Sequence, residues 1–125
     1  MRALVVDDSK AIRSILSKLL GELGFDVCVA CHGLEALSRL DETGPVDLAL
    51  VDWNMPTMNG IEFVRAVRAN AAYESLRVMM ITTQTETSDI VEALEAGADE
   101  YLMKPFTKAM VLEKLRLLGI VPEEP

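Results

Sequence analysis

The strongest constraint on the fold is the run Leu48-Ala49-Leu50-Val51-Asp52, in which four apolar residues end on a single carboxylate. An unbroken apolar run that short suits a strand buried on both faces of a parallel sheet. Pro56 and the Asn59-Gly60 pair follow and mark a loop, so Asp52 stands where a buried strand gives way to a turn. The pattern recurs. Ala3-Leu4-Val5-Val6 runs into Asp7-Asp8, Val78-Met79-Met80-Ile81 into Thr82-Thr83, and Tyr101-Leu102-Met103 into Lys104-Pro105. If these strands are parallel, three carboxylates, a hydroxyl and an ammonium meet at the carboxyl edge of the sheet, where ligands bind in open α/β folds.

Helical spacing fills the intervals. Ser9 is a good N-cap for apolar residues recurring from Ala11 to Leu23, and Gly24 stops them, which predicts a helix over about 10–23. Phe25, Val27 and Val29 alternate with Asp26 and Cys28 as in a half-buried strand, and His32-Gly33 reads as a turn before a short helix over about 34–40. Ile61, Val64 and Val67 predict a helix ending near Asn70. Ser88 or Asp89 is expected to cap a helix that Gly97 ends, and Thr107 one that runs to Leu118. Strand and helix alternate five times, so the expected fold is α/β: a doubly wound, five-stranded parallel sheet with helices on both faces.

At 125 residues the chain suits one core, with about two-thirds of the unfolded surface buried. We assign residues 1–121 to a single domain and 122–125 to a tail. A formal charge of −8 and the lack of any basic run exclude a nucleic-acid surface, which needs clustered Lys and Arg. The first apolar run is four residues long and is cut by Asp7-Asp8, unlike a signal peptide, and no segment reaches the length of a membrane span. The expected location is the cytoplasm, with Cys28 and Cys31 reduced.

Asp7, Asp8 and Asp52 held close together repel when ionised, which either a retained proton or a divalent cation relieves. A partly open site of hard oxygen ligands suits Mg²⁺. With Lys104 and Thr82 as donors, these are the parts needed for phosphoryl transfer to a carboxylate, since metal and ammonium offset charge on the phosphoryl oxygens. A single carboxylate at a strand end is more often a helix cap. Three strand ends and Lys104 agreeing by chance is far less common.

The chain resembles the receiver domain of two-component response regulators from end to end. The residues that carry the likeness are Asp7-Asp8, Asp52 with Met55-Pro56 and Gly60, Thr82, Ala96-Gly97-Ala98 and Lys104-Pro105-Phe106. Asp52-Trp53-Asn54-Met55-Pro56 is similar to single-domain chemotaxis regulators. The resemblance implies a flavodoxin-like (βα)5 fold, with Asp52 as the phosphoryl acceptor and a sensor histidine kinase or histidine phosphotransfer protein as donor. It implies Mg²⁺ held by Asp8, Asp52 and the Asn54 carbonyl, with Asp7 acting through water, and a cis Lys104-Pro105 bond. It makes Thr82 and Tyr101 the switch pair, and Asn54, Thr83 and Gln84 the residues that tune phosphoryl lifetime. Chemotaxis members often carry an acidic residue where this chain has Gln84, and a small one where it has Thr83. Output is expected through the Ile90–Leu94 helix, the Tyr101 strand and the last helix, to a protein target or a second copy. On that last helix Val111, Leu115 and Leu118 share the core stripe. Met110 and Leu117 form a second stripe beside Phe106.

Other readings compete. Cys28-Val-Ala-Cys31-His32 spells the c-type haem attachment motif, but it falls on a predicted strand and turn where haem has no room to stack. Aspartate-nucleophile phosphatases need an acid two residues after the nucleophile, where this chain has Asn54 after Asp52 and Ser9 after Asp7. No Gly-rich turn follows the first strand, which excludes a dinucleotide site. Within the receiver reading, a phosphorelay shuttle or a receiver cut from a longer regulator stays open.

Overall fold

The computed structural model describes residues 1–83 and 86–120. Five strands, β1 (Arg2–Val6), β2 (Asp26–Ala30), β3 (Leu48–Asp52), β4 (Arg77–Thr82) and β5 (Glu100–Met103), alternate with five helices, α1 (Lys10–Glu22), α2 (Gly33–Thr43), α3 (Gly60–Arg68), α4 (Thr87–Ala96) and α5 (Lys108–Leu117). All pairings are parallel, in the order β2-β1-β3-β4-β5. This is the doubly wound architecture that the alternation predicts. The predicted 122–125 tail lies outside the described residues, and no helix among those described is long and apolar enough to cross a membrane.

The central strands sort their side chains by parity, as pleating requires. Leu4, Val6, Ala49 and Val51 face one side, with Ala36 of α2, Phe63 and Val64 of α3 and Ala93 of α4. Ala3, Val5, Leu48 and Leu50 face the other, with Leu16 and Leu20 of α1 and Val111 and Leu115 of α5. Every residue of β3 is buried, so its run carries no alternation. The chain leaves β1 toward β2 on one side and returns to β3 on the other. That reversal opens a crevice beyond the carboxyl ends of β1 and β3.

Several boundaries differ from expectation, each for a local reason. α2 begins at Gly33 because His32 is its N-cap: the Glu35 backbone N–H donates to His32 Nδ1 at 3.1 Å. α2 also runs on to Thr43. α3 stops at Arg68, and Asn70 instead caps a short 3₁₀ turn, Ala71–Tyr73. Neither Ser88 nor Asp89 caps α4, whose N-cap is Glu86 with no side-chain bond. Val29 is exposed on β2, the edge strand of the sheet, which pairs with β1 alone. Ser9 and Thr107 cap as expected, accepting from the N–H groups of Ile12 and Met110 at 3.3 and 3.1 Å.

Candidate functional site

β1 delivers Asp7 and Asp8 to the crevice, β3 ends on Asp52, β4 ends on Thr82, and Lys104 follows β5. Thr82 closes the strand rather than opening the loop: its carbonyl accepts the Lys104 N–H at 2.8 Å, and the residue is fully buried. The Lys104-Pro105 bond is cis. Lys104 Nζ donates to Asp7 Oδ2 at 3.0 Å and to Asp52 Oδ1 at 3.3 Å. One carboxylate oxygen from each of Asp7, Asp8 and Asp52 lies within 4.8 Å of the other two. Asp7 and Asp52 are buried and Asp8 is exposed, so the cluster is roofed by protein on one side and opens to solvent on the other.

The two buried carboxylates are held differently. Asp7 Oδ1 accepts the Ser9 N–H at 2.8 Å while its Oδ2 faces Lys104, so protein donors engage both oxygens. Arg13 reaches back from α1 to donate to the Asp7 carbonyl at 2.7 Å, a tie no sequence pattern announced. For Asp52, burial and then the nearby charge of Asp7 outweigh the help of Lys104 and push its carboxyl up to about 6. Burial works against the Lys104 ammonium too, but its bonds to Asp7 and Asp52 prevail and hold it above the ordinary lysine value. The pocket therefore carries more negative charge than one ammonium offsets. An incoming cation or phosphoryl group would meet fixed partners there.

Loop geometry supports the same edge. Gly60 N–H donates to the Trp53 carbonyl at 2.9 Å, and a Cβ on Gly60 would stand 2.4 Å from the Asp52 carbonyl oxygen. Only glycine lets α3 start against the end of β3. Asn59 and Glu62 close a reciprocal capping box, so the Asn-Gly pair serves as a helix start as well as a turn. Asn54 and Thr83 are exposed beside the pocket, and Gln84 lies outside the described residues.

Tyr101 is 8 % exposed and packs on the α2–α4 side of the sheet. Beside it a cleft of about 370 Å³ runs between α4 and α5, with Ile90, Leu94, Tyr101 and Met110 in its walls. Leu94 and Leu117 are exposed, and Met110 is marginally so. Phe106 departs from expectation: it is partly buried against the α1–α5 core rather than joining the outer stripe. Cys28 Sγ lies 3.6 Å from the Ala3 carbonyl at the edge of the core, and burial raises its thiol, so the haem spelling is not presented as a binding surface.

A family profile for the response regulator receiver domain matches residues 3–116. A chemotaxis protein of Helicobacter pylori, CheY1, is 40% identical over 119 residues, covering 94% of this chain and 96% of its own. The structure of the chemotaxis protein CheY4 of Vibrio cholerae superposes with a TM-score of 0.87 at 37% identity, covering 93% of this chain and 96% of its own. The receiver domain of a Pseudomonas aeruginosa sensor histidine kinase, with a magnesium ion coordinated in its active-site cleft, gives a TM-score of 0.83 at 25% identity, covering 94% and 97%.

Proposed function

Because the chain belongs to the response regulator receiver domain family, we propose that it takes a phosphoryl group from a sensor histidine kinase or histidine phosphotransfer protein onto Asp52, with Mg²⁺. The observation that carries this is Asp52 itself, buried at the end of β3 within reach of Lys104 and between two further carboxylates. The chain is a signalling domain rather than an enzyme acting on external substrates. Its own phosphoryl transfer and loss are the only reactions the pocket serves.

An Asp52 carboxylate oxygen attacks phosphorus in line, the bond from phosphorus to the donor imidazole breaks, and the ring, protonated on its other nitrogen, leaves as neutral imidazole. Lys104 then turns its ammonium from the Asp52 carboxylate to a phosphoryl oxygen, and the Thr82 hydroxyl donates to another. The carboxylates of Asp8 and Asp52 and the carbonyl of Asn54 would hold Mg²⁺. Asp7, both of whose oxygens already accept protein N–H donors, would act through water. The donor set fits: hard oxygens, clustered and unbalanced in charge, on a side open to solvent. Bound there, the ion supplies positive charge against the phosphoryl oxygens. By likeness to the family, Asn54, Thr83 and Gln84 would set the lifetime of the phosphoryl group.

Output follows from the hydroxyl. Drawing Thr82 at the end of β4 toward the phosphoryl group frees space for the Tyr101 ring, biasing a two-state element. The α4–β5–α5 face, with Leu94, Met110 and Leu117 exposed, would then meet a protein target or a second copy in the cytoplasm. The likeness to named chemotaxis proteins supports a chemotaxis output. Trp53, the one tryptophan, follows Asp52 and is 8 % exposed, so its emission reports on the pocket. Mg²⁺ should change that emission saturably, and beryllofluoride should add a second step. The second step should vanish in Asp52→Asn. If it persists there, Asp52 is not the acceptor.

A further inference from the structure

One cluster on the same sheet edge has no part in phosphoryl chemistry. Cys31 and His32 follow β2, and Glu35 stands in the first turn of α2. A sulfur, a ring nitrogen and a carboxylate oxygen, one from each, all lie within 4.8 Å of one another, and all three residues are half-buried. Glu35 Oε1 accepts the Cys31 backbone N–H at 3.0 Å, which pins the carboxylate so that Oε2 sits 3.8 Å from Cys31 Sγ. Around tetrahedral zinc, with bonds of about 2.3 Å to sulfur and 2.0–2.2 Å to oxygen, those two ligands stand roughly 3.5 Å apart. The pair is within a few tenths of an ångström of that spacing. Helix capping accounts for His32 and Glu35. It does not account for a thiol facing the carboxylate.

We propose that Cys31, His32 and Glu35 form a site for a borderline-soft divalent transition metal of the zinc class, with remaining positions filled by water. Thiolate, imidazole and carboxylate together suit Zn²⁺ or Co²⁺ and not hard Mg²⁺. On binding, Cys31 Sγ exchanges its proton for the metal and the proton leaves to solvent. His32 must give up its cap to take part. Nδ1 now accepts the Glu35 N–H, so coordination through Nδ1 displaces that bond, and coordination through Nε2 requires the ring proton to move to Nδ1. Metal and helix cap therefore compete for one imidazole, and loading uncaps α2. The Asp7 N–H donates to the Ala30 carbonyl at 3.1 Å, and Cys31 is the next residue. A dication here lies beside the acidic pocket.

The test is titration of Co²⁺, then Zn²⁺, into the reduced full chain with Mg²⁺ in excess to occupy the Asp cluster. Carboxylates give no sulfur charge-transfer band, so the readout stands even if Mg²⁺ leaves that cluster empty. One Co²⁺ per chain should produce a thiolate-to-metal band in the near ultraviolet that Zn²⁺ displaces. Cys31→Ser should abolish the band and Cys28→Ser should leave it unchanged. Glu35→Gln and His32→Asn should each weaken binding by at least about 10-fold, since losing a residue that merely supports a ligand already costs that much. Asn is among the best N-caps, so His32→Asn should keep the metal-free Tm and separate lost coordination from lost folding. No band in the unmodified chain, a band that survives Cys31→Ser, or unchanged affinity in His32→Asn would each overturn the site.

Discussion

Replacing Asp52 by Asn should make the metal-free protein more stable, and by an amount that grows with pH. Burial and the Asp7 charge lift the Asp52 carboxyl from 3.8 to about 6. Because the folded value lies above the unfolded one, the folded state holds the extra proton between them. That contribution is complete below 3.8 and is lost as pH rises through about 6. A lift of that size is worth about 3 kcal/mol at ~1.4 kcal/mol per pH unit. The pocket opens to water beside Asp8, and solvent screening brings the figure to about 1–2 kcal/mol. Asn keeps an oxygen for Lys104, which also retains Asp7 at 3.0 Å. For a domain of this size the Tm of Asp52→Asn should exceed that of the unmodified chain by about 3–8 °C at pH 8 in EDTA. Near pH 4 the gap should close. Mg²⁺ relieves the same repulsion: with millimolar affinity, ~10 mM adds ~1.4 kcal/mol to the unmodified chain by mass action. Asp8→Asn should raise the metal-free Tm and remove that Mg²⁺ response. Circular-dichroism melts across pH 4–8, with and without Mg²⁺, read all of this. A gap that does not grow with pH, or an Asp52→Asn protein less stable at pH 8, would refute the assignment of repulsion to this carboxylate.

Three further outcomes test the supporting geometry. Gly60→Ala places a Cβ 2.4 Å from the Asp52 carbonyl oxygen and should cost about 1–3 kcal/mol in denaturant unfolding. Thr57 is the one non-glycine residue with positive φ among those described, at 70°, where a β-branched side chain is strained. Thr57→Asn should therefore stabilise by about 1 kcal/mol in the same assay. Met110→Lys with Leu117→Lys changes two residues exposed by 36% and 69%. The pair should weaken phosphorylation-dependent self-association or target binding, measured by sedimentation or pull-down with beryllofluoride, while Asp52 still accepts phosphate. Binding that survives unchanged would place the output surface elsewhere.

Where the sequence spoke, it spoke through strand ends. An apolar run broken by Asp52, by Asp7-Asp8 or by Lys104-Pro105 states both the burial of the strand and the side on which its polar end emerges, because parallel strands share one edge. Parity along β1 and β3 could not be read, since both faces of each are covered and the side chains are apolar throughout. Tertiary ties were equally silent. The reach of Arg13 to the Asp7 carbonyl depends on where α1 lies over β1. The cap at His32 was hidden because Gly33 after it reads as a turn, whereas its Nδ1 serves as an acceptor much as a Ser oxygen would. The start of α4 was misplaced for the opposite reason. Ser88 and Asp89 are good capping residues, yet the helix has already begun at Thr87 without any side-chain cap.

The most direct test of the central claim is intact-mass spectrometry after incubation with acetyl phosphate and Mg²⁺. The unmodified chain should gain a single phosphoryl group, and Asp52→Asn should gain none under the same conditions. The adduct should fail to form in EDTA. Undiminished labelling of Asp52→Asn, or no adduct on the unmodified chain with Mg²⁺ present, would contradict the assignment of Asp52 as acceptor.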